Sequence, residues 1–469
     1  MQSPICADAR AAPASAAFGF VVVATSLSFF MTQLDVTIVN VALPRIAQDL
    51  SASVGALQWV VDAYTLAFAV TMLCAGALGD RLGARRALRL GITLFGAASL
   101  ACAISPSALL LNVARAIQGI GAAAMLPNSL ALLNHSFSHD AERRAKAVGW
   151  WTASGAISLA AGPVVGGLLL AALGWRWIFF VNLPVCVLGF ALAARLPESN
   201  TGTEAKGFDV AGQLLATAGL TLLTAGIIES GQLGLTRIVS TCFAAAVACG
   251  VLFAVTEHRA PHPVLPGSLF SAPAFLPAVG FGMLMNFTYY GFIFVLSLFL
   301  QQALGYSPLR AGFAFLPLTA GFFLSNIISG AVVARFGSRL PMLIGAVIGA
   351  IGFALLLTVN LNSTYGDLVW GFLLIPMGMG LGVPAMTTAV LSSSEKRLSA
   401  TASAVLNTAR QASGAFGVAI LGAWAHGSAE GIAHAIHGAV MLCIVMLAAA
   451  FVLAQCMDRP AAAVSRATR

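Results

Sequence analysis

Apolar runs recur along almost the whole chain, at about residues 17–43, 55–76, 88–105, 108–134, 146–172, 177–196, 209–229, 237–256, 273–302, 310–333, 340–359, 367–391, 401–424 and 437–457. Each is near the ~20 residues that a helix needs to cross ~30 Å of hydrocarbon. Of 469 residues, 59% are hydrophobic and only 9% charged, against about a quarter charged in a soluble domain. The expectation is an all-α integral membrane protein of fourteen transmembrane helices, with no room for a soluble domain. The first run has no cleavage-type ending and reads as a retained helix, not a signal peptide.

The net charge of +8 reports topology. With the N-terminus inside, eighteen Lys and Arg fall on the cytoplasmic side, against Arg45, Arg176, Arg237 and Arg310 outside; Arg115 and Arg410 lie within spans. That asymmetry predicts a multi-pass protein of the inner (cytoplasmic) membrane with both termini in the cytoplasm. No basic patch with aromatics points to nucleic acid. The eight cysteines are scattered singly, without CxxC spacing, and read as small buried hydrophobes.

"GALGDRLGARRALRLG" from Gly76 aligns without gaps on "GAVVARFGSRLPMLIG" from Gly330. Such a repeat predicts two homologous six-helix halves, 17–196 and 261–457, around a central cavity. The pair of helices within 197–260 is then an insertion, and 1–16 and 458–469 are cytoplasmic ends. In the first copy, Gly76, Asp80, Arg81, Gly83, Arg85 and Arg86 read as a gating loop, with Asp80 available for an ion pair or helix-terminus contact. Ala334 replaces that acid in the second copy.

"AAGPVVGG" (160–167) joins Pro163, which removes a backbone donor and kinks a helix, to Gly162, Gly166 and Gly167, which admit a neighbouring helix. "GIGAAA" at 119 follows no strand and sits inside a span, so it is no dinucleotide fingerprint. GxxxxGK[ST] is absent, since Lys146, Lys206 and Lys396 follow Ala, Ala and Glu. ATP, cofactor and catalytic chemistry are therefore not expected. "HSFSH" (135–139) and "HRAPH" (258–262) read as solvated loop histidines, not metal ligands.

The gating stretch resembles the signature between the second and third helices of the major facilitator superfamily. "LDVTIVNVALP" (34–44), "RAIQGIGAAA" (115–124), "AAGPVVGG" and "GWRWIFFVNLP" (174–184) look like the helix 1, 4, 5 and 6 motifs of its fourteen-span drug:proton antiporters. The resemblance spans essentially the whole chain. It implies a transporter that exports amphipathic or cationic drugs, dyes or antibiotics in exchange for protons. The fourth-helix arginine is implicated in proton transfer, and the fifth-helix motif is associated with exporters. Ser158 stands where the fifth-helix motif often has Gly.

Charges inside spans are functional candidates because lipid penalises them. Asp35, Asp62 and Arg115 read as the proton-coupling set, with the alternative that Asp35 is neutralised by a fixed arginine, Arg115. Asp35 lies nine residues before Pro44 at the outer end, about 14 Å, and Asp62 some five residues, about 8 Å, into the returning helix, so both are expected in the outer half of the first domain. Gln58, Trp59, Asp62 and Thr65 share a helix face suited to a wet cavity. Asn286, Tyr289 and Tyr290 read as cavity-lining in the second half, where aromatic faces suit cations and planar rings. "NTARQASGAFG" (407–417) mirrors the Arg, Gln, Gly arrangement of the fourth helix, so Arg410 is expected to balance charge there. The expected partners are a small-molecule substrate, protons and the lipid bilayer, with the protein acting as a monomer. The alternatives are a proton-coupled importer, against which the fifth-helix motif argues, and a non-transporting membrane sensor, against which the buried charges argue.

Overall fold

The computed structural model describes residues 14–138, 140–198, 210–260, 267–394, 398–425 and 429–457, and every regular element among them is helical. The helices are α1 (Ala14–Leu50), α2 (Val54–Leu82), α3 (Ala84–Ala103), α4 (Ala108–Ser136), α5 (Ala141–Ala172), α6 (Trp177–Phe180), α7 (Asn182–Ala194), α8 (Val210–Leu233) and α9 (Arg237–Arg259). There follow α10 (Phe275–Leu298), α11 (Pro308–Ala314), α12 (Leu316–Phe336), α13 (Arg339–Leu355), α14 (Tyr365–Ser393), α15 (Ser399–Gly422) and α16 (Ala429–Gln455). Starts are set by side-chain caps: the oxygens of Ser53, Ser107, Asp140, Thr236 and Ser307 each accept from the backbone N–H three residues on. The gap-free repeat has a physical counterpart. Gly83 and Gly337 fall at its same position, and both take a positive φ, 88° and 76°, between two helices.

Twelve helices among the described residues are long and apolar enough to cross a membrane, or thirteen when the bent α5 is taken as one span. The sequence count of fourteen goes further because α15, although helical, is rich in Ser, Thr, Asn, Arg and Gln. Prolines explain the breaks. Pro184 and Pro317 each withhold an N–H four residues after Phe180, the last residue of α6, and Phe313, the last but one of α11. Pro163 does the same within α5, which bends by 41° between Leu159 and Ala161.

Pro44 is the exception: α1 runs through it to Leu50. The carbonyl that Pro44 leaves unmatched is that of Asn40, and the Ser297 hydroxyl of α10 donates to it at 2.6 Å. Gln301 Nε2 donates to the next carbonyl, Val41, at 3.0 Å. A proline defect in one helix thus becomes the docking point for another. The depth estimate changes accordingly: Asp35 lies fifteen residues from the end of α1, about 22 Å along the axis.

α2 packs on α4, α4 on α3 and α1 on α5, whereas α10 packs on α15 and α16, and α14 on α12 and α13. Contacts of α2 with α15, α1 with α10, and α5 with α11 and α12 join the two groups. α8 and α9 pack on one another, and α8 also meets α2 and α15. Small residues set these approaches. A Cβ on Gly121 would stand 2.6 Å from the backbone nitrogen of Phe95 in α3. One on Gly119 would meet the Tyr64 carbonyl and stand 3.1 Å from the Phe68 nitrogen in α2.

Gly119→Ala should therefore force α2 and α4 apart and cost about 1–3 kcal/mol. Gly149→Ala, whose Cβ meets nothing within 4 Å, should cost nothing. Thermal unfolding of the two variants in detergent checks this, and equal melting temperatures would refute it.

Candidate functional site

The aspartates expected to act alike stand in opposite surroundings. Asp35 is fully buried, and its Oδ2 is ion-paired with Nη1 of Arg115 on α4. Its Oδ1 accepts from Gln118 Nε2 at 2.9 Å and from Asn182 Nδ2 of α7 at 3.2 Å. Ser99 on α3 accepts from both amides, at 2.8 and 3.3 Å. Arg115 further donates to Gln118 Oε1 at 2.8 Å and, through Nε, to the Val60 carbonyl at 2.9 Å. Its guanidinium lies 4.3 Å over the ring of Tyr64. In this conformation Asp35 is paired with Arg115, the partner that the alternative reading of the sequence names.

Asp62 is equally buried, yet neither carboxylate oxygen has a hydrogen-bond partner. The stripe on which it lies faces α15. Gln58 Nε2 donates to the carbonyls of Val418 and Ala419 at 3.1 and 2.8 Å, and Thr408 Oγ1 donates to Ala69 O at 3.1 Å. Those bonds fix an antiparallel register that puts Asp62 level with Gly414 and Ala415. Gln58 is therefore occupied by α15 backbone in this conformation, not free for a ligand. Thr65 bonds back to Val61 O at 3.0 Å, and Trp59 is half-buried.

The gating stretch is less of a loop than its glycines imply. Gly76 to Leu82 continue α2, and Gly83 alone separates it from α3. The side chain of Asp80 lies outside the described residues, and Arg81 is exposed. Arg85 and Arg86 share Glu198, at 2.8 and 3.2 Å, just beyond α7. Arg85 also donates to the Leu196 carbonyl at 3.0 Å.

The fifth-helix glycines serve two neighbours. A Cβ on Gly162 or Gly166 would strike Thr37 or Ile38 of α1, and one on Gly167 would come within 2.9 Å of Pro308 O at α11. Gly312 of α11 faces back onto Pro163. Beside this junction a narrow cavity is lined by Thr37, Asn40, Pro163, Tyr289, Ile293 and Leu318.

In α10, Asn286 and Tyr289 are buried and Tyr290 half-buried, the two rings meeting edge-on with centroids 5.5 Å apart. Arg410 Nε donates to Asn286 Oδ1 at 3.2 Å. The mirror of the fourth helix is one of residue types, since α15 is the fifth span after α9 when α11 and α12 are joined. Residues that sequence reasoning passed over are Gln118, Asn182 and Ser99. The first two stand inside quoted motifs, three residues after Arg115 and two before Pro184, whereas Ser99 carries no local signal.

A sequence model of the Major Facilitator Superfamily matches residues 25–418. A methylenomycin A resistance protein of Streptomyces coelicolor is 36% identical over 419 residues, covering 88% of this chain and 88% of its own. The multidrug resistance protein Stp of Mycobacterium tuberculosis is 35% identical over 402 residues, 85% of this chain and 74% of its own. A POT family transporter crystallised with a thioalcohol-conjugated peptide superposes with a TM-score of 0.71 at 14% identity, covering 94% of this chain and 97% of its own. That likeness is one of fold.

Asp35→Asn should leave Arg115 buried and unpaired and cost about 3–5 kcal/mol. Adding Arg115→Gln should restore much of the loss, whereas Asp62→Asn should leave folding nearly unchanged. Melting temperatures of the wild type, Asp35→Asn, Arg115→Gln and the double variant form a double-mutant cycle, and additive losses would refute the pairing.

Proposed function

The chain belongs to the major facilitator superfamily, and we propose that it is a proton-coupled antiporter exporting amphipathic organic compounds, antibiotics among them, by alternating access. The names of its relatives support drug export. The observation that carries proton coupling is Asp62, a buried carboxylate without a partner at the α2–α15 contact. An unpaired charge in such a place is costly, and a proton removes it.

The α2–α15 surface then closes on a neutral Asp62 and resists closing on a charged one. On the cytoplasm-facing side of the cycle a positively charged or hydrogen-donating group of the substrate displaces the proton inward. Once the helices part toward the outside, the substrate leaves and a proton from outside takes its place, so that the surface re-closes on a neutral group. Proton and substrate thereby alternate at one group. Asp35 and Arg115 act beside it as a fixed pair that orients α1 against α4, so their share in coupling is positional.

We assign the turn after α1 to the outside and both termini to the cytoplasm, in the inner membrane, on the distribution of basic residues. In this orientation the bonds from Ser297 and Gln301 to α1, and from Gln58 to α15, close the outer end. Counting α5 and α15 as spans gives fourteen, with α8 and α9 inserted between two six-helix halves of a monomer. Gly162, Pro163, Gly166 and Gly167 bias the closed state by seating α5 on α1 and α11. Asp80, with Arg81, Arg85 and Arg86, gates the inner end.

In a host lacking its own pumps, the protein should raise resistance to amphipathic antibiotics and drive ethidium efflux that a protonophore abolishes. Asp62→Asn, at wild-type abundance, should fall to the empty-vector level in both assays. Undiminished efflux by that variant would remove Asp62 from the coupling step.

A further inference from the structure

Arg410 is the second arginine inside a span, and its surroundings differ from those of Arg115 in one respect. No ion pair among the described residues includes it. Its Nε donates to Asn286 Oδ1 at 3.2 Å, and the residue is part-exposed. The amide orientation is set by chemistry, because a guanidinium only donates and Asn286 must present its oxygen to it. That turns Asn286 Nδ2 the other way, and this buried donor has no partner either.

A buried, unmatched amide donor thus stands beside a part-exposed guanidinium that has no acid opposite it, near Tyr290. Leaving buried donors unmatched is expensive, and a guanidinium beside an amide is a good match for a carboxylate. The position is also reachable: every residue from Asn407 to Gln411 is part-exposed, although α15 is packed between α10 and α2. The apolar side of the position is supplied by Met386 of α14 and the Tyr290 ring, both in contact range of the glycines that flank it, Gly282 and Gly414.

We propose that Arg410 and Asn286 form an anion-binding subsite, taking the carboxylate or comparable acidic group of an amphipathic substrate. The proposal rests on the export reading above, with this position between α10 and α15 on the transport pathway. It runs against a preference for cations expected from two aspartates, since Asp35 is spent on Arg115 and Arg410 adds an uncompensated positive charge. It also alters the energetics of exchange. Each acidic group makes the exported species one unit more negative, so a cycle that imports a proton gains one charge moving with the inside-negative potential.

The test uses the full-length protein in nanodiscs and two probes with one ring system, 1-pyrenebutyrate and its neutral amide, titrated calorimetrically against empty discs. The acid should bind on the order of ten- to a hundredfold tighter than the amide. Arg410→Gln should bring the acid down to the amide without moving the amide, and Arg410→Lys should keep part of the preference. Asn286→Asp supplies a second route that hardly changes shape: its carboxylate pairs with Arg410 from within and should erase the preference. Equal affinity for acid and amide in the unmodified protein, binding of neither, or an unchanged ratio in Arg410→Gln or Asn286→Asp would overturn the subsite. Ethidium efflux in cells is scored separately, so loss of the subsite with efflux intact leaves the export reading standing, and loss of efflux with acid preference intact does the reverse.

Discussion

Lipid offers no counter-charge, so the bundle around α4 is organised by the one place among the described residues where a buried cation and anion meet. Arg115 and Asp35 join α4 to α1, Gln118 and Ser99 extend the contact to α3, and Asn182 brings in α7. Four helices are thereby held at one level. A salt bridge in such surroundings contributes little net stability over an apolar pair, because desolvation offsets attraction. Its effect is on specificity: a slip of one turn along any of the four helices leaves a charge or an amide unmatched. Gly119 and Gly121 are the geometric condition for it, since they let α2 and α3 come close enough to reach the polar groups of α4.

Prolines and glycines do the complementary work where the two helix groups meet. Pro44 frees the Asn40 carbonyl, and Ser297 of α10 fills it. Pro163 bends α5, and the glycines around it face α1 on one side and α11 on the other. These polar and backbone-mediated contacts sit within a hydrophobic cluster that runs from α1 and α2 into α10 and α15, so parting the two groups, as a rocking transporter does, also exposes apolar surface.

Much of the fold was legible because periodicity and charge act locally. Apolar runs located the helices, and the gap-free repeat placed Gly83 and Gly337 at matching left-handed positions. Helix ends and breaks were less legible. A proline breaks a helix or does not according to whether another element satisfies the freed carbonyl, and Ser297 is 257 residues from Asn40. The candidate site was legible in its residues but not in their roles. Asp35 and Asp62 are the same residue type on adjacent helices, and only the side chains that reach them from α4 and α7 set them apart. Gln118 and Asn182 lay inside recognised motifs, yet their value depends on a partner that no local spacing reveals.

The difference between Arg115 and Arg410 comes down to one functional group. Each guanidinium is met from the first helix of its group, Arg115 by Asp35 of α1 and Arg410 by Asn286 of α10. Carboxylate and carboxamide have nearly the same shape, so packing around them can be alike while the charge balance is not. With the carboxylate the site is neutral, closed to ligands and useful as a fixed point. With the amide a positive charge is left over, along with an amide donor that has nowhere to go. In a membrane such an imbalance is tolerated only where something from outside restores it for part of the cycle. Under the proposed reading, an arginine opposite an acid fixes one group of helices and an arginine opposite an amide leaves the other responsive to substrate.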